Sequence, residues 1–76
     1  MITLDEMEVE LQEIFGQNFF QFAFYVDNRK QNNIGKYWVK VESDISGHYN
    51  AWQVRDAVSL EEAWIEIIKK IKEKIS

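Results

Sequence analysis

The hydrophobic positions of this chain change their period twice, from helical spacing to strand alternation and back to helical spacing. Near the N-terminus, the apolar residues at helical spacing are Leu4, Met7, Leu11 and Ile14, with Phe15 beside them. Apolar residues three and four positions apart lie on one face of a helix. Thr3 and Glu6 match the pattern of a capping box, and Gly16 is a residue at which helices commonly end. The pattern therefore predicts a first amphipathic helix that ends near Gly16.

A second helical stripe occupies the C-terminal part of the chain. Its members are Leu60, Trp64, Ile67, Ile68, Ile71 and Ile75. Ser59 and Glu62 form another capping box, and Val58 and Ala63 stand where a hydrophobic staple would. The pattern predicts a second amphipathic helix, with a continuous apolar face, that begins near Ser59.

Between the two helices, apolar and polar residues alternate in three segments: 19–27, 36–42 and 48 to about 55. Period-two alternation with aromatic and β-branched residues is typical of half-buried strands. The inward-facing residues are predicted to be Phe20, Phe22, Phe24, Val26, Tyr37, Val39, Val41, Trp52 and Val54. The polar segments 28–33 and 43–47 separate the strands and predict hairpin turns.

This order of elements predicts one α+β domain over residues 1–76. The simplest arrangement of these helices and strands is a three-stranded antiparallel β-meander with both helices packed on one face, in the order α-β-β-β-α. In a chain of this size, each large apolar side chain contributes a sizeable share of the core.

The formal net charge of −4 is distributed unevenly along the chain. Residues 1–17 hold five acidic residues and no basic one, whereas residues 18–76 are close to neutral. A broad basic footprint for nucleic acid is therefore missing. The acidic first helix is predicted to be a solvated face, although it could also dock on a basic partner. Four lysines near the C-terminus suit the negative end of a helix dipole, with a phosphate-binding patch as the alternative.

The composition argues against several kinds of chemistry. There is no Cys, His48 is the single His, and no nucleophile motif or phosphate loop is present. We therefore expect no enzyme activity, no metal site and no cofactor. The N-terminus lacks the pattern of a signal peptide, and no apolar stretch is long enough to span a bilayer, so a cytoplasmic location without membrane attachment is expected.

One surface has an unusual composition. The sheet face turned away from the helices is predicted to interleave aromatic and basic side chains. The candidate partner-binding residues on it are Phe19, Tyr25, Lys36, Trp38, Lys40, Tyr49 and Arg55, with Gln21 and Gln53 among them. Tyr, Trp and Arg are enriched in protein interfaces. The same residue types also stack bases and hold phosphates, or simply cover the sheet by cross-strand pairing.

The order helix, strand, strand, strand, helix at this length resembles the double-stranded RNA-binding domain. The resemblance covers the whole chain at the level of topology and implies an RNA-binding loop between the first two strands. Residues 28–33, with Arg29 and Lys30, stand at that position. In that family the second helix begins with a lysine cluster, whereas here it begins with Ser59, Leu60, Glu61 and Glu62.

The sequence thus favours a small non-enzymatic interaction or regulatory domain that binds a protein partner, or itself, through the aromatic-rich sheet face. A divergent nucleic-acid-binding domain is the alternative. Abundant Ile, Lys, Asn, Phe and Tyr with no Pro suits a low-GC genome, as of an accessory protein of a bacterium or phage.

Overall fold

The computed structural model of the chain describes residues 2–27 and 36–75. The elements in chain order are helix α1 (Leu4–Phe15), strands β1 (Phe20–Val26), β2 (Tyr37–Ile45) and β3 (His48–Ala57), and helix α2 (Leu60–Ile75). The strands form one antiparallel sheet in the order β1-β2-β3. This arrangement confirms the predicted α+β meander. The predicted loop at 28–33, with Arg29 and Lys30, lies outside the described residues.

Both helices begin at the predicted capping residues. Glu6 donates its backbone N–H to the Thr3 hydroxyl oxygen at 3.2 Å, and the Thr3 N–H donates to the Glu6 carboxylate at 3.0 Å. At α2, the backbone N–H of Glu62 donates to the Ser59 hydroxyl oxygen at 3.1 Å. These bonds satisfy N–H groups that have no partner within the first turn of a helix. Gly16, at a φ of 64°, ends α1 as predicted.

The turn between β2 and β3 is shorter than the predicted segment 43–47. Strand β2 continues to Ile45, and only Ser46 and Gly47 form the turn, at φ values of 53° and 82°. Two consecutive residues with positive φ are characteristic of the type I′ turn. This turn is common in two-residue hairpins because its twist matches that of the flanking strands. Ser43 is consequently a strand residue that is 1% exposed, and its hydroxyl donates to the Phe19 carbonyl at 2.7 Å.

A β-bulge interrupts the pairing of β2 with β3. Tyr37 pairs with Ala57 and Val39 pairs with Val54, so Arg55 and Asp56 together lie opposite Trp38. Asp56 takes a φ of 64°, which few residues other than Gly, Asn and Asp adopt readily. The bulge reverses the alternation at this point, because the extra residue turns Ala57 toward the core instead of Asp56.

The core lies between one face of the sheet and the two helices. Its buried members are Met7, Leu11, Phe15, Val39, Val41, Trp52, Val54, Ala57, Ala63, Trp64, Ile67, Ile68 and Ile71. Trp64 occupies the centre, with its ring 5.6 Å from that of Phe22 and 6.0 Å from that of Phe24. Its indole N–H donates to the Glu10 carboxylate at 2.8 Å, which joins α2 to α1.

Several residues of the predicted apolar faces lie at the ends of elements and are exposed. The exposed fractions are 64% for Leu4, 56% for Val26, 38% for Leu60 and 42% for Ile75. Phe20, Phe22 and Phe24 are only partly buried. Periodicity identifies the apolar face of an element, but it does not determine how much of the element's length a neighbour covers.

Candidate functional site

The sheet surface opposite the helices, called the open face below, carries the side chains that sequence analysis singled out. Strand alternation brings onto it Phe19, Gln21, Ala23, Tyr25, Trp38, Lys40, Glu42, Tyr49, Gln53 and Arg55. Three of these are strongly exposed aromatic residues: Phe19 at 58%, Tyr25 at 40% and Tyr49 at 61%. Seven of the side chains on the open face form two groups, a stack of three and a network of four.

The first group is a stack of three side chains that crosses all three strands. Tyr25 and Trp38 are direct cross-strand partners, and their rings lie 3.8 Å apart at an interplanar angle of 13°. The Arg55 guanidinium lies 4.6 Å from the Trp38 ring centroid. Trp38 therefore has an aromatic ring on one side and a cation on the other, both of which are favourable contacts for an indole. This set is called the Tyr25–Trp38–Arg55 stack.

The register of β2 with β3 places Arg55 beside Trp38. Lys40 pairs with Gln53 and Val39 with Val54, and the next step of this register sets Arg55 opposite Trp38. Asp56, with its positive φ, is the extra residue of the bulge, so that Ala57 pairs with Tyr37. The bulge thus follows Arg55 and changes the alternation of the strand only beyond it.

The second group is a polar network centred on Glu42, a residue that was not among the predicted site residues. The Gln21 amide donates to one carboxylate oxygen of Glu42 at 3.0 Å, and the Tyr49 hydroxyl donates to the other. The Lys40 ammonium lies 3.9 Å from the same carboxylate. The alternation of β2 already placed Glu42 on this face, but its central position depends on the pairing of all three strands.

The network shifts the titration of two of its members. The hydrogen bonds from Tyr49 and, next, from Gln21 lower the pKa of Glu42, because they stabilise its charged form. The hydrogen bond to Glu42 raises the pKa of Tyr49, because the neutral phenol is the donor. A carboxylate with a lowered pKa in the folded state stabilises the fold above its unfolded-state pKa. That contribution is lost as the pH falls through the folded-state value.

Replacement of Tyr49 by Phe is therefore expected to raise the pKa of Glu42, since it removes the hydrogen bond with the largest effect on that group. A carboxyl carbon titration by NMR measures this change directly. The stability difference between wild type and variant should also shrink as the pH falls through the Glu42 pKa. Tyr25→Phe is the matched control, because Tyr25 lies in the other group and its loss of a hydroxyl should leave the Glu42 titration unchanged. Equal Glu42 titration curves in Tyr49→Phe and wild type would contradict the network.

The remaining predicted site residues lie apart from these two groups. Lys36 precedes β2, and its ammonium lies 5.7 Å from the centroid of the Tyr37 ring. Phe19 lies at the opposite end of β1 from Tyr25, beside Asp44 in the sheet register. Tyr25 follows Phe19 by six positions, which corresponds to roughly 20 Å at about 3.3 Å per residue. The structure thus joins Tyr25, Trp38 and Arg55 in one stack, and it joins Lys40 and Tyr49 through Glu42.

Two of the four C-terminal lysines lie against β3. The Lys70 ammonium donates to the Gln53 carbonyl at 3.3 Å, and that of Lys74 lies 5.4 Å from the Trp52 ring centroid. Lys69 and Lys72 instead border an open groove of about 650 Å³ between the helices. The apolar residues that line this groove are Ile14, Ile65, Ile68 and Ile75. These lysines therefore do not form a single phosphate-binding cluster.

Over residues 2–27 and 36–75, no group of His, Asp and Glu side chains is arranged to hold a metal ion. His48 is exposed at the start of β3, opposite Ile45 across the hairpin. Neither α1 nor α2 is long and apolar enough to cross a membrane.

Comparisons with models of protein families, with curated proteins and with solved structures find no match to this chain. The topology it shares with the double-stranded RNA-binding domain is an order of elements, and an order of elements does not carry a function with it.

Proposed function

We propose that this protein is a small, non-enzymatic, cytoplasmic interaction domain that binds a protein partner through the open face. The observation that carries this proposal is the Tyr25–Trp38–Arg55 stack. Two aromatic rings and a guanidinium stack on one another on a sheet surface, and Tyr25 is still 40% exposed. Aromatic and Arg side chains held in this way are the residue types that dominate binding energy in protein interfaces.

The contacts within the open face support binding in a second way. Side chains that are ordered before association lose less conformational entropy when a partner binds. Trp38 packs between Tyr25 and Arg55, and Tyr49 donates a hydrogen bond to Glu42. The exposed aromatic surface of the open face is therefore already in place for a partner.

The charges of the open face favour a protein over a nucleic acid. Arg55 lies against an indole and Lys40 lies beside Glu42, so both cations already have neighbours on the face. Glu42 also has a lowered pKa, so it remains charged at neutral pH and would repel phosphates. Nucleic acid remains the second candidate, since its bases could stack on the exposed rings of Tyr25 and Tyr49.

Trp38→Ala is expected to weaken partner binding by about 2 kcal/mol or more, as removal of a hot-spot tryptophan does. The partner is first captured from the native host with the wild-type chain, and its affinity for wild type and variants is then measured by calorimetry. Ile65→Ala is the matched control, because Ile65 is 63% exposed on the helix side of the domain. Unfolding curves should show that Trp38→Ala changes stability by only about 1 kcal/mol, since it removes contacts on one open surface.

The salt dependence of binding separates the two candidate partners. A protein interface built on aromatic contacts should keep most of its affinity between low and high salt, whereas nucleic-acid binding should weaken by orders of magnitude. Equal affinities of Trp38→Ala and wild type for the captured partner would contradict the proposed use of the open face. A steep salt slope with DNA or RNA would favour the second candidate.

A further inference from the structure

The outer edge of β1 is unlike the other edge of the sheet. Strand β1 has the sequence Phe-Gln-Phe-Ala-Phe-Tyr-Val, which contains no charged residue and no proline. Its pairing with β2 runs without a register shift from Phe20 to Val26. Charged residues, prolines and bulges are the usual devices that keep an edge strand from pairing with another chain. Strand β1 has none of the three.

The edge formed by β3 has several of these devices. A bulge at Arg55 and Asp56 breaks the regular ladder, and both residues are charged. The Lys70 side chain donates to the Gln53 carbonyl, so a lysine from α2 also lies over this strand. The two edges of one small sheet thus differ in how well they are protected.

Hydrogen-bond geometry determines which groups β1 presents outward. The Asp44 N–H donates to the Phe19 carbonyl at 3.1 Å, and the Asp27 N–H donates to the Lys36 carbonyl at 2.8 Å. Alternate residues of an antiparallel strand point their backbone groups toward the same neighbour, so the odd-numbered residues of β1 face β2. The even-numbered residues, Phe20, Phe22, Phe24 and Val26, therefore point their N–H and C=O groups away from β2. No strand within residues 2–27 and 36–75 pairs with that side.

The same residues have incompletely covered side chains. On β3, the inward-facing Trp52 and Val54 are 7% and 2% exposed. On β1, by contrast, Phe20, Phe22 and Phe24 are only partly buried, and Val26 is 56% exposed. The helices therefore cover the inward-facing side chains of β2 and β3 but leave apolar side chains of β1 partly exposed. An added strand at this edge would bury that surface and satisfy the outward backbone groups together.

We propose that the outer edge of β1 pairs antiparallel with β1 of a second copy of this chain, which joins two three-stranded sheets into one six-stranded sheet. A two-fold axis at Ala23 pairs all seven residues of each strand and places Phe22 opposite Phe24 of the other copy. In this register only even-numbered residues meet as hydrogen-bonded pairs, as the outward groups require. The register also sets Ala23 against its own copy on the open face, where the small side chain permits close approach.

Charge supports a second copy as the occupant. Each chain carries a net charge of −4 that arises from the acidic residues of segment 1–17, so contacts between the α1 helices of two copies would be repulsive. The seven residues of β1 are all uncharged and therefore form a neutral strip on an acidic molecule. Two such strips meet without like-charge repulsion, whereas a charged strand from another protein would gain no electrostatic attraction from β1.

The variant Ala23→Glu tests this pairing. Within one chain, position 23 lies opposite Lys40, so a glutamate there gains a favourable cross-strand neighbour and the fold should be retained. In the proposed dimer, two glutamates would face each other across the two-fold axis. We expect the dimer of Ala23→Glu, measured by sedimentation equilibrium, to be about tenfold weaker or more than that of wild type. Mixing Ala23→Glu with Ala23→Lys should restore association, because opposite charges then meet.

Gln53→Glu is the matched control. Gln53 lies on the open face of β3 and is opposite the same Lys40, so this variant adds the same charge beside the same neighbour. It should dimerise as wild type does, because it leaves the β1 edge unchanged. Equal weakening by Gln53→Glu would place the contact between two copies on the open face and would overturn the edge pairing.

Hydrogen exchange of the wild-type chain provides a readout that needs no substitution. The amides of Phe22, Phe24 and Val26 should become slower to exchange as the protein concentration rises, while those of Gln21, Ala23 and Tyr25 should be slow at every concentration. A chain that stays monomeric at all concentrations would overturn the proposal. So would a dimer in which these outward amides still exchange fast, because the contact between the two copies would then lie elsewhere.

Discussion

Replacing Trp64 with Ala is expected to destabilise this domain by about 3–5 kcal/mol, the typical cost of truncating a buried Trp or Phe. Trp64 is 2% exposed and contacts two phenylalanines of β1 while hydrogen-bonded to α1. At roughly 0.05–0.15 kcal/mol per residue, a domain of 76 residues has about 4–11 kcal/mol of stability in total. The variant should therefore lose a large part of its stability and, at the lower end of that range, its folded state at 37 °C, as measured by chemical denaturation and calorimetry.

Two further variants separate the contribution of the packed Trp64 ring from that of its hydrogen bond to Glu10. Trp64→Phe keeps an aromatic ring against Phe22 and Phe24 but removes the N–H that donates to Glu10. Its cost should be smaller than that of Trp64→Ala, since part of the buried volume is retained. Glu10→Ala instead leaves the indole N–H of Trp64 without its acceptor, at a cost of about 1–3 kcal/mol. A double-mutant cycle between positions 10 and 64 then gives the coupling of the two helices.

The matched comparison for Trp64→Ala is Trp38→Ala, which makes the same substitution on the opposite face of the sheet. The alternation of β2 turns Trp38 away from the helices, so its loss should change stability far less. If Trp64→Ala melted within a few degrees of wild type, or if Trp38→Ala unfolded the chain, the assignment of the two sheet faces would be inverted.

The order of elements could be predicted because each change in hydrophobic period marks a change in secondary structure. Capping-box patterns placed the helix starts at Thr3 and Ser59. Both bonds of the box form at Thr3, and at Ser59 the hydroxyl accepts from the Glu62 N–H. Alternation also placed Tyr25, Trp38 and Arg55 on the same sheet face. These predictions depend only on local spacing along the chain, which is why they succeeded.

The stack itself could not be predicted, because it depends on the register between strands. Tyr25 meets Trp38 only because β1 and β2 pair in one particular register. Arg55 reaches the indole because the pairing of Val39 with Val54 sets Arg55 opposite Trp38. The Glu42 network likewise depends on the two-residue turn at Ser46 and Gly47, since that turn determines which residues of β3 lie beside β2.

Pairing of two copies at the β1 edge would also affect how a partner binds to the open face. If two copies join at β1, the twofold axis passes near Ala23, and the two Tyr25–Trp38–Arg55 stacks lie on one continuous surface. A partner with two equivalent sites would then bind both stacks at once, with a higher apparent affinity than one stack provides. Trp38→Ala would weaken such binding without affecting the dimer, and Ala23→Glu would weaken it only through the loss of the dimer.

Replacing Leu11 with Ala is expected to cost about 2–5 kcal/mol, because Leu11 is fully buried at the centre of the contact between α1 and the rest of the core. Met7 and Phe15, one turn on either side of Leu11, are 4% and 3% exposed. Truncation at this position would leave a cavity that the helix cannot close without moving away from the sheet. Chemical denaturation should show a lower midpoint with a largely unchanged slope.

Leu4→Ala is the matched control on the same helix, and it tests where the packing of α1 begins. Leu4 shares the apolar periodicity of Leu11 but is 64% exposed. Alanine is also a slightly better helix former than leucine, so Leu4→Ala should change stability by no more than about 0.5 kcal/mol. Equal costs for the two variants would mean that the first turn of α1 packs as tightly as its middle, as periodicity alone predicts. Unequal costs would show that α1 is held by Met7, Leu11 and Phe15, with its first turn stabilised by the capping box.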